Sequence, residues 1–254
     1  MLSRELDLGG RIARRAGEIA LGYWQKDIQA EAKPDLSPVT IADRTAEKVI
    51  AQALEEAFPE DGILGEEGAS RPSRSGRQWI IDPIDGTRDF VRGNPAWAVL
   101  IALEAEGEVL AGFSLLPAMG DFFFAARGRG AFCNDNPIRI SKVESPASAV
   151  MCLNGFNTVQ QHPFAGGLLD FMSRFWAVRS MGGCLDAMMV ARGQADLWMD
   201  GGGKVWDYAP LKVIAEEAGA RFFNFDGNSS PYGGSCVICV PALESEARRF
   251  VMQY

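Results

Sequence analysis

Residues 79–90 read WIIDPIDGTRDF. The apolar run from Trp79 to Ile81 predicts a strand entering a core, yet it delivers Asp82 and then Asp85. Buried carboxylates are costly unless positive charge meets them. Pro83 is expected to stop further ladder pairing, so that Asp82 stands at the strand end, and Gly86-Thr87 can open a helix whose free N–H groups face outward. This geometry collects carboxylates and amide donors at one point. A phosphate resting on the amides of Gly86 and Thr87 would lie within reach of cations held by the two aspartates. In isolation the same stretch also reads as a helix cap at Asp85 and a turn hydrogen bond at Asp82.

Working outward, the segments AWAVLIALE, EVLAGFSLL and DFFFAAR are short, apolar and separated by turn residues, which predicts successive sheet strands. Upstream, Ile12, Ala16, Ile19, Ala20, Tyr23 and Trp24 share one helical face, as do Ala46, Val49, Ile50, Ala53, Leu54 and Ala57. Two amphipathic helices therefore open the chain, joined by AEAKPDLSPVTIADR, an extended loop and candidate flap. Downstream, AVMCLNG, WAVRS and ADLWMD read as strands that alternate with helices at GGLLDFMSRF, CLDAMMVARG and YAPLKVIAEEAG, an α/β rhythm. Residues 1–145 form an N-terminal α+β half and residues 146–254 a C-terminal α/β half, sharing a cleft in one compact unit.

The chain has 254 residues, of which 47% are hydrophobic and 23% charged, as expected of a soluble enzyme-sized body. Against 25 Lys and Arg stand 33 Asp and Glu, and the resulting charge of -8 disfavours nucleic acid or an anionic membrane as partner. The opening stretch MLSRELDLGGRIARRAGEIA is neither signal peptide nor membrane span, which predicts a cytoplasmic protein. Five scattered cysteines suit a reducing compartment and read as small buried apolar residues. Cys236 and Cys239 lie on a predicted strand where they point to opposite faces, which disfavours a zinc or redox site. His162, the one histidine, is expected on a solvated loop.

Two more acidic stretches complete the set. GILGEEG carries Glu66 and Glu67, and KVWDYAP carries Asp207 at the start of the next predicted amphipathic helix. Singly, the glutamates read as a solvated turn and Asp207 as an N-cap. In order and spacing, however, GEEG, WIIDPIDGTRDF and VWDYAP resemble the signatures of the inositol monophosphatase family. SPVTIADR, ARGRGAFCNDNPIRIS and EEAGARFFNFDG extend the resemblance across nearly the whole chain. It implies an α/β fold, the layered α-β-α-β-α sandwich of the inositol monophosphatase and fructose-1,6-bisphosphatase type. It also implies a lithium-sensitive phosphomonoesterase acting as a homodimer on a small phosphorylated alcohol.

Carried over by position, the implied metal ligands are Glu66, Asp82, the carbonyl of Ile84, Asp85 and Asp207. All are oxygen donors, which suits two or three Mg2+ ions with Mn2+ as a substitute and disfavours zinc. The resemblance makes Glu66, Thr87 and Asp82 the catalytic group, with Glu66 and Thr87 serving the attacking water. Substrate contacts are implied at Asp85, Gly86, Thr87, Gly182, Gly183, Cys184, Asp200 and Asp207. Asp43 matches an acidic position behind the site, as a support or a helix cap. Asp200 either faces the substrate's alcohol or belongs to a glycine-rich surface turn.

The stretches SPVTIADR, DPIDGTRDFVRG and EEAGARFFNFDG look closer to a bacterial histidinol-phosphatase-like branch, whereas GGCLDAMM departs from it. Inositol 1-phosphate and histidinol phosphate both stay open as substrates, as do adenosine 3',5'-bisphosphate and fructose bisphosphate. An aspartyl-phosphate mechanism requires Asp-x-Asp, and this chain has Asp-x-x-Asp. A non-catalytic metal and phosphate binder would not need both Glu66 and Thr87.

Overall fold

The structure, a computed structural model, describes residues 2–26, 30–33 and 38–252. Both opening helices form where the apolar spacing predicts them. Helix α1 (Ser3–Tyr23) buries Ile12, Ala13, Ala16 and Ala20. Two short strands, β1 (Glu31–Ala32) and β2 (Pro38–Val39), pair antiparallel before α2 (Ile41–Ala57), which buries Ala46, Ile50 and Leu54. Residues 34–37 of the expected flap lie outside the described residues.

An eight-stranded sheet follows. Its strands are β3 (Gly62–Gly65), β4 (Ser70–Arg71) and β5 (Arg77–Asp85), then, after the short helix α3 (Thr87–Val91), β6 (Ala98–Ala105), β7 (Glu108–Leu116), β8 (Asp121–Ala126), β9 (Ala131–Cys133) and β10 (Asn136–Ile138). Antiparallel pairing dominates, and β3 lies parallel to β5. On β5, Trp79 and Ile81 pack with α1 and α2, while Ile80 packs on the other face against Val205, Ala209 and Val213. This alternation fixes which face Asp82 takes, because side chains two apart share a side.

The second sheet is built from β11 (Val150–Asn154), and its outer face is covered by α4 (Phe156–Val159) and α5 (Leu168–Met172). Then come β12 (Ala177–Arg179), α6 (Gly183–Ala191), β13 (Leu197–Asp200), α7 (Val205–Glu217), β14 (Arg221–Phe223), β15 (Cys236–Cys239) and α8 (Pro241–Val251). Its five strands run in the order β12-β11-β13-β15-β14. Helices α6 and α7 fill the space between the sheets, and α8 joins α4 and α5 on the far side. The layers are therefore α-β-α-β-α, as the resemblance implies.

Several local expectations change. Pro83 does not end the strand: β5 runs to Asp85, with Asp82 opposite Leu100 and Asp85 opposite Ala98, so one extra residue is accommodated as a bulge. Helix α7 is not amphipathic, because it is wedged between two sheets and buries nine of its residues, Lys212 included. The predicted helix over GGLLDFMSRF is a 3-10 turn (Pro163–Gly167) followed by the single short α5. Helix α8, not assigned from sequence, starts on Pro241 and buries Leu243, Ala247, Phe250 and Val251. His162 is partly buried and packs its ring against Phe164 and Phe225 rather than facing solvent freely. All five cysteines are free thiols; four are buried and Cys133 is half-buried. Cys236 and Cys239 serve opposite faces of the second sheet, as expected.

Helix α7 lies so close to β7 that a Cβ on Gly112 would meet Val213 Cγ1 at 2.5 Å and the Pro210 carbonyl oxygen at 2.6 Å. Gly112→Ala should therefore destabilise the protein by about 1–3 kcal/mol through overpacking. Denaturant unfolding checks this as a lower midpoint at unchanged slope.

Candidate active site

Three aspartates converge between β5 and α7. One oxygen each of Asp82, Asp85 and Asp207 lies within 4.8 Å of the others. In a regular strand, residues three apart face opposite sides; the bulge at Pro83-Ile84 restores Asp85 to the face of Asp82. That face is the one α7 covers, which explains how a carboxylate more than a hundred positions later joins them. Asp207 is the third residue of α7 rather than its N-cap. It still caps the helix start by reaching back to accept from the Lys204 amide at 2.5 Å.

Each carboxylate is also tethered by backbone. Asp82 Oδ1 accepts from the Ile84 amide at 3.0 Å, the turn bond that sequence allowed. Asp85 Oδ2 accepts from the Cys184 amide at 3.2 Å, at the first turn of α6. Glu66 follows β3, and its own amide donates to the Ile81 carbonyl at 3.1 Å, which seats it beside Asp82. Ile84, Gly86, Thr87, Gly183, Cys184 and Asp200 line the same cavity, of about 300 Å³, whereas Gly182, expected as a substrate contact, is not among its lining residues.

Behind this cluster, Asp43 combines both roles the sequence left open. One oxygen receives the Thr40 amide at 2.8 Å as a capping box, and the other receives the Thr87 hydroxyl at 3.2 Å. The Thr87 hydroxyl has a second acceptor in the Ile84 carbonyl at 3.1 Å. Asp200 is held by Tyr208, whose hydroxyl donates to it at 2.9 Å and accepts from the Gly203 amide at 2.6 Å. The amides of Gly201 and Gly202 further favour its charge.

Sequence reasoning missed the supports. Glu47, buried on α2, accepts from the amides of Glu67 and Ala69, both at 2.8 Å, and so shapes the turn that presents Glu66. Its signal was legible: Asp43 and Glu47 are acids on the apolar face that also carries Ala46 and Ile50. Asp186, fully buried, accepts from the amides of Met181 and Gly182 and fixes the loop before α6. Lys33 donates to Glu66 at 2.8 Å and also pairs with Glu67. Burial opposes the Lys33 charge, but those two carboxylates outweigh it and raise its pKa.

The electrostatics call for cations. Burial, followed by repulsion from Glu66, Asp207 and Asp85, pushes Asp82 well above the usual carboxylate range. Burial and Asp85 do the same to Asp207, and burial raises Asp85 to about 6. Among the described residues, no Lys or Arg side chain pairs with any of the three. An all-oxygen, cation-demanding cluster fits hard divalent metal ions.

These shifts set a sign for metal-free stability. A carboxylate whose folded pKa lies above its unfolded value binds more protons when folded, so stability falls as pH rises from about 4 through about 6. The chelated protein should therefore melt lower at neutral pH than the same groups would allow near pH 5. Asp82→Asn should raise the chelated protein's melting temperature at neutral pH and narrow that pH difference. It should also lose most of the further rise that a saturating divalent cation produces in the wild type. Calorimetric scans with and without chelator measure each arm.

Comparison with known proteins agrees with this geometry. Residues 4–252 match the inositol monophosphatase family. A histidinol-phosphatase of Chlorobaculum parvum is 38% identical over 242 residues, covering 93% of this chain and 92% of that protein. An inositol-1-monophosphatase of Rhizobium meliloti is 31% identical over 262 residues, covering 100% and 94%. Among solved structures, the extragenic suppressor protein SuhB of Bartonella henselae superposes with a TM-score of 0.90 at 28% identity, covering 99% of both chains. With its acidic cluster and its layered fold, the chain belongs to the inositol monophosphatase family of metal-dependent phosphatases.

Proposed function

We propose that this chain hydrolyses histidinol phosphate, with two or three Mg2+ ions (or Mn2+) held by Glu66, Asp82, Asp85, Asp207 and the Ile84 carbonyl. The observation that carries the phosphatase reading is the convergence of three aspartates, Asp82 buried and Asp85 and Asp207 partly buried, beside the Thr87 hydroxyl and Glu66. Two things favour the cationic alcohol: the histidinol-phosphatase relative is the more similar at 38% against 31%, and Asp89 and Asp200 line the cavity beyond the metal cluster. Inositol 1-phosphate is the second reading, supported by the Rhizobium meliloti relative. On the family resemblance, the protein works as a cytoplasmic homodimer.

Bound divalent cations would neutralise the carboxylates, acidify a water and stabilise the departing alkoxide. The chain's own groups position that chemistry. The Thr87 hydroxyl, donating its proton to Asp43 or Ile84, keeps lone pairs free to accept from the attacking water. Glu66 is the carboxylate base for that water's proton, and Asp43 keeps Thr87 in register. The amides of Gly86 and Thr87, with that of Gly183 at the first turn of α6, would receive the phosphate oxygens, while the Cys184 amide holds Asp85.

Phosphate release from histidinol phosphate should require added Mg2+ and vanish in excess chelator; undiminished release there would refute metal dependence. Thr87→Ala should lower kcat by roughly 10²-fold with little change in KM, because its role lies in the transition state. A change confined to KM would overturn that assignment. Lithium at limiting Mg2+ should slow turnover by competing at the aspartates. Side by side, histidinol phosphate should exceed inositol 1-phosphate in kcat/KM, and the reverse order would favour the second reading.

A further inference from the structure

We infer that Asp89 is the residue that selects the alcohol half of the substrate, by pairing with a cationic nitrogen of that alcohol; this deepens and rests on the phosphatase reading. Asp89 lies in the first turn of α3, half-buried, and lines the same cavity as the aspartate cluster. Its Oδ1 receives the Asn94 side-chain amide at 2.6 Å. For Oδ2 no donor is found among the described residues, and no cationic side chain pairs with Asp89. Asp200, by contrast, is already committed to Tyr208 and the glycine turn.

Two adjacent glycines, Gly182 and Gly183, lie beside Asp89 and Asp85 respectively. A Cβ on Gly183 would stand 4.0 Å from Asp85 Oδ2, and a Cβ on Gly182 would stand 4.0 Å from Asp89 Oδ2. Successive Cα atoms are about 3.8 Å apart, so these two adjacent glycines bring backbone without side chain close to both Asp85 and the free oxygen of Asp89. Gly182, at φ +140°, also abuts Ala96, where a Cβ would meet the Ala96 Cβ at 3.0 Å, so a side chain at position 182 would have to move its neighbour. Arg88, next in sequence, is exposed, and water and salt screen its charge. A partly buried carboxylate with one free oxygen gains a charge-assisted hydrogen bond from an ammonium or imidazolium, and a weaker neutral one from a hydroxyl.

The test is Asp89→Asn, which keeps the oxygen that Asn94 binds and removes the charge. It is assayed as the holoenzyme with Mg2+ on four esters: histidinol phosphate, its analogue without the amine, its analogue without the imidazole, and inositol 1-phosphate. The expected result is a loss in kcat/KM on the order of 10- to 100-fold for histidinol phosphate, the scale of a hydrogen bond to a charged group. Inositol 1-phosphate should change by less than about threefold on the same scale. Of the two analogues, the one that retains the nitrogen facing Asp89 should show the loss, which identifies that nitrogen. Equal losses on all four esters, or no loss on any, would overturn the inference. Calorimetric titration of wild type and Asp89→Asn with histidinol gives a readout free of turnover. Should the wild type release phosphate from none of the esters, the phosphatase reading fails; weaker histidinol binding by the variant would still support Asp89, and equal binding would overturn it.

Discussion

Like charge gathered at one buried point is the constraint on which the rest of this structure depends. At 4.8 Å and an effective dielectric of 20, each pair of ionised aspartates repels by about 3 kcal/mol, before the cost of taking them out of water. No folding core would assemble such a cluster for its own stability. The fold holds it by backbone tethers from Ile84, Cys184 and Lys204, which add local donors without neutralising the charge. A site arranged in this way is an electrostatic vacancy for small hard cations, and the anionic substrate of a protein with net charge -8 is attracted only once they are bound.

The sandwich supplies the rigidity this requires. Helix α7 is locked between two sheets, so Asp207 cannot retreat from Asp82 and Asp85 without disturbing both. Behind it, elements that line the cavity have a buried acid holding them: Glu47 the Glu66 turn, Asp43 the Thr87 hydroxyl, Asp186 the entry to α6. These acids face backbone amides or a hydroxyl, which allows them to stay ordered whether or not cations are bound. Repeated use of one device, an acid on an apolar face that accepts from a neighbouring loop, ties the outer layers to the chemistry.

Much of this was legible in the chain. The helices α1 and α2 follow from their apolar periodicity, the strands from alternation and turn residues, and the clustering of Asp82, Asp85 and Asp207 from the resemblance of the acidic stretches. Features governed by contacts distant in sequence were less legible. WIIDPID looked like a strand ended by proline because ladder pairing is a property of two strands, and the bulge opposite Leu100 and Ala98 exists only when β6 is alongside. Helix α7 looked amphipathic because its second covering sheet comes from residues before and after it. The amphipathic pattern of α8 is present in PALESEARRFV, whose Leu243, Ala247, Phe250 and Val251 share the buried face.

The amino-acid sequence by itself determined which groups are present and their local geometry: carboxylates without a nearby histidine, a helix opening at Gly86-Thr87, a capping bond for Asp207. These follow from residue type and short-range spacing, whose physics is contained within a few neighbours. Only the tertiary structure decided which face Asp85 takes, that Asp43 reaches Thr87, that Tyr208 and the glycine turn engage Asp200, and that Asp89 keeps a free oxygen beside two adjacent glycines. The physical reason is that a side chain's availability is set by its partners, and here those partners arrive from strands and helices tens of residues away.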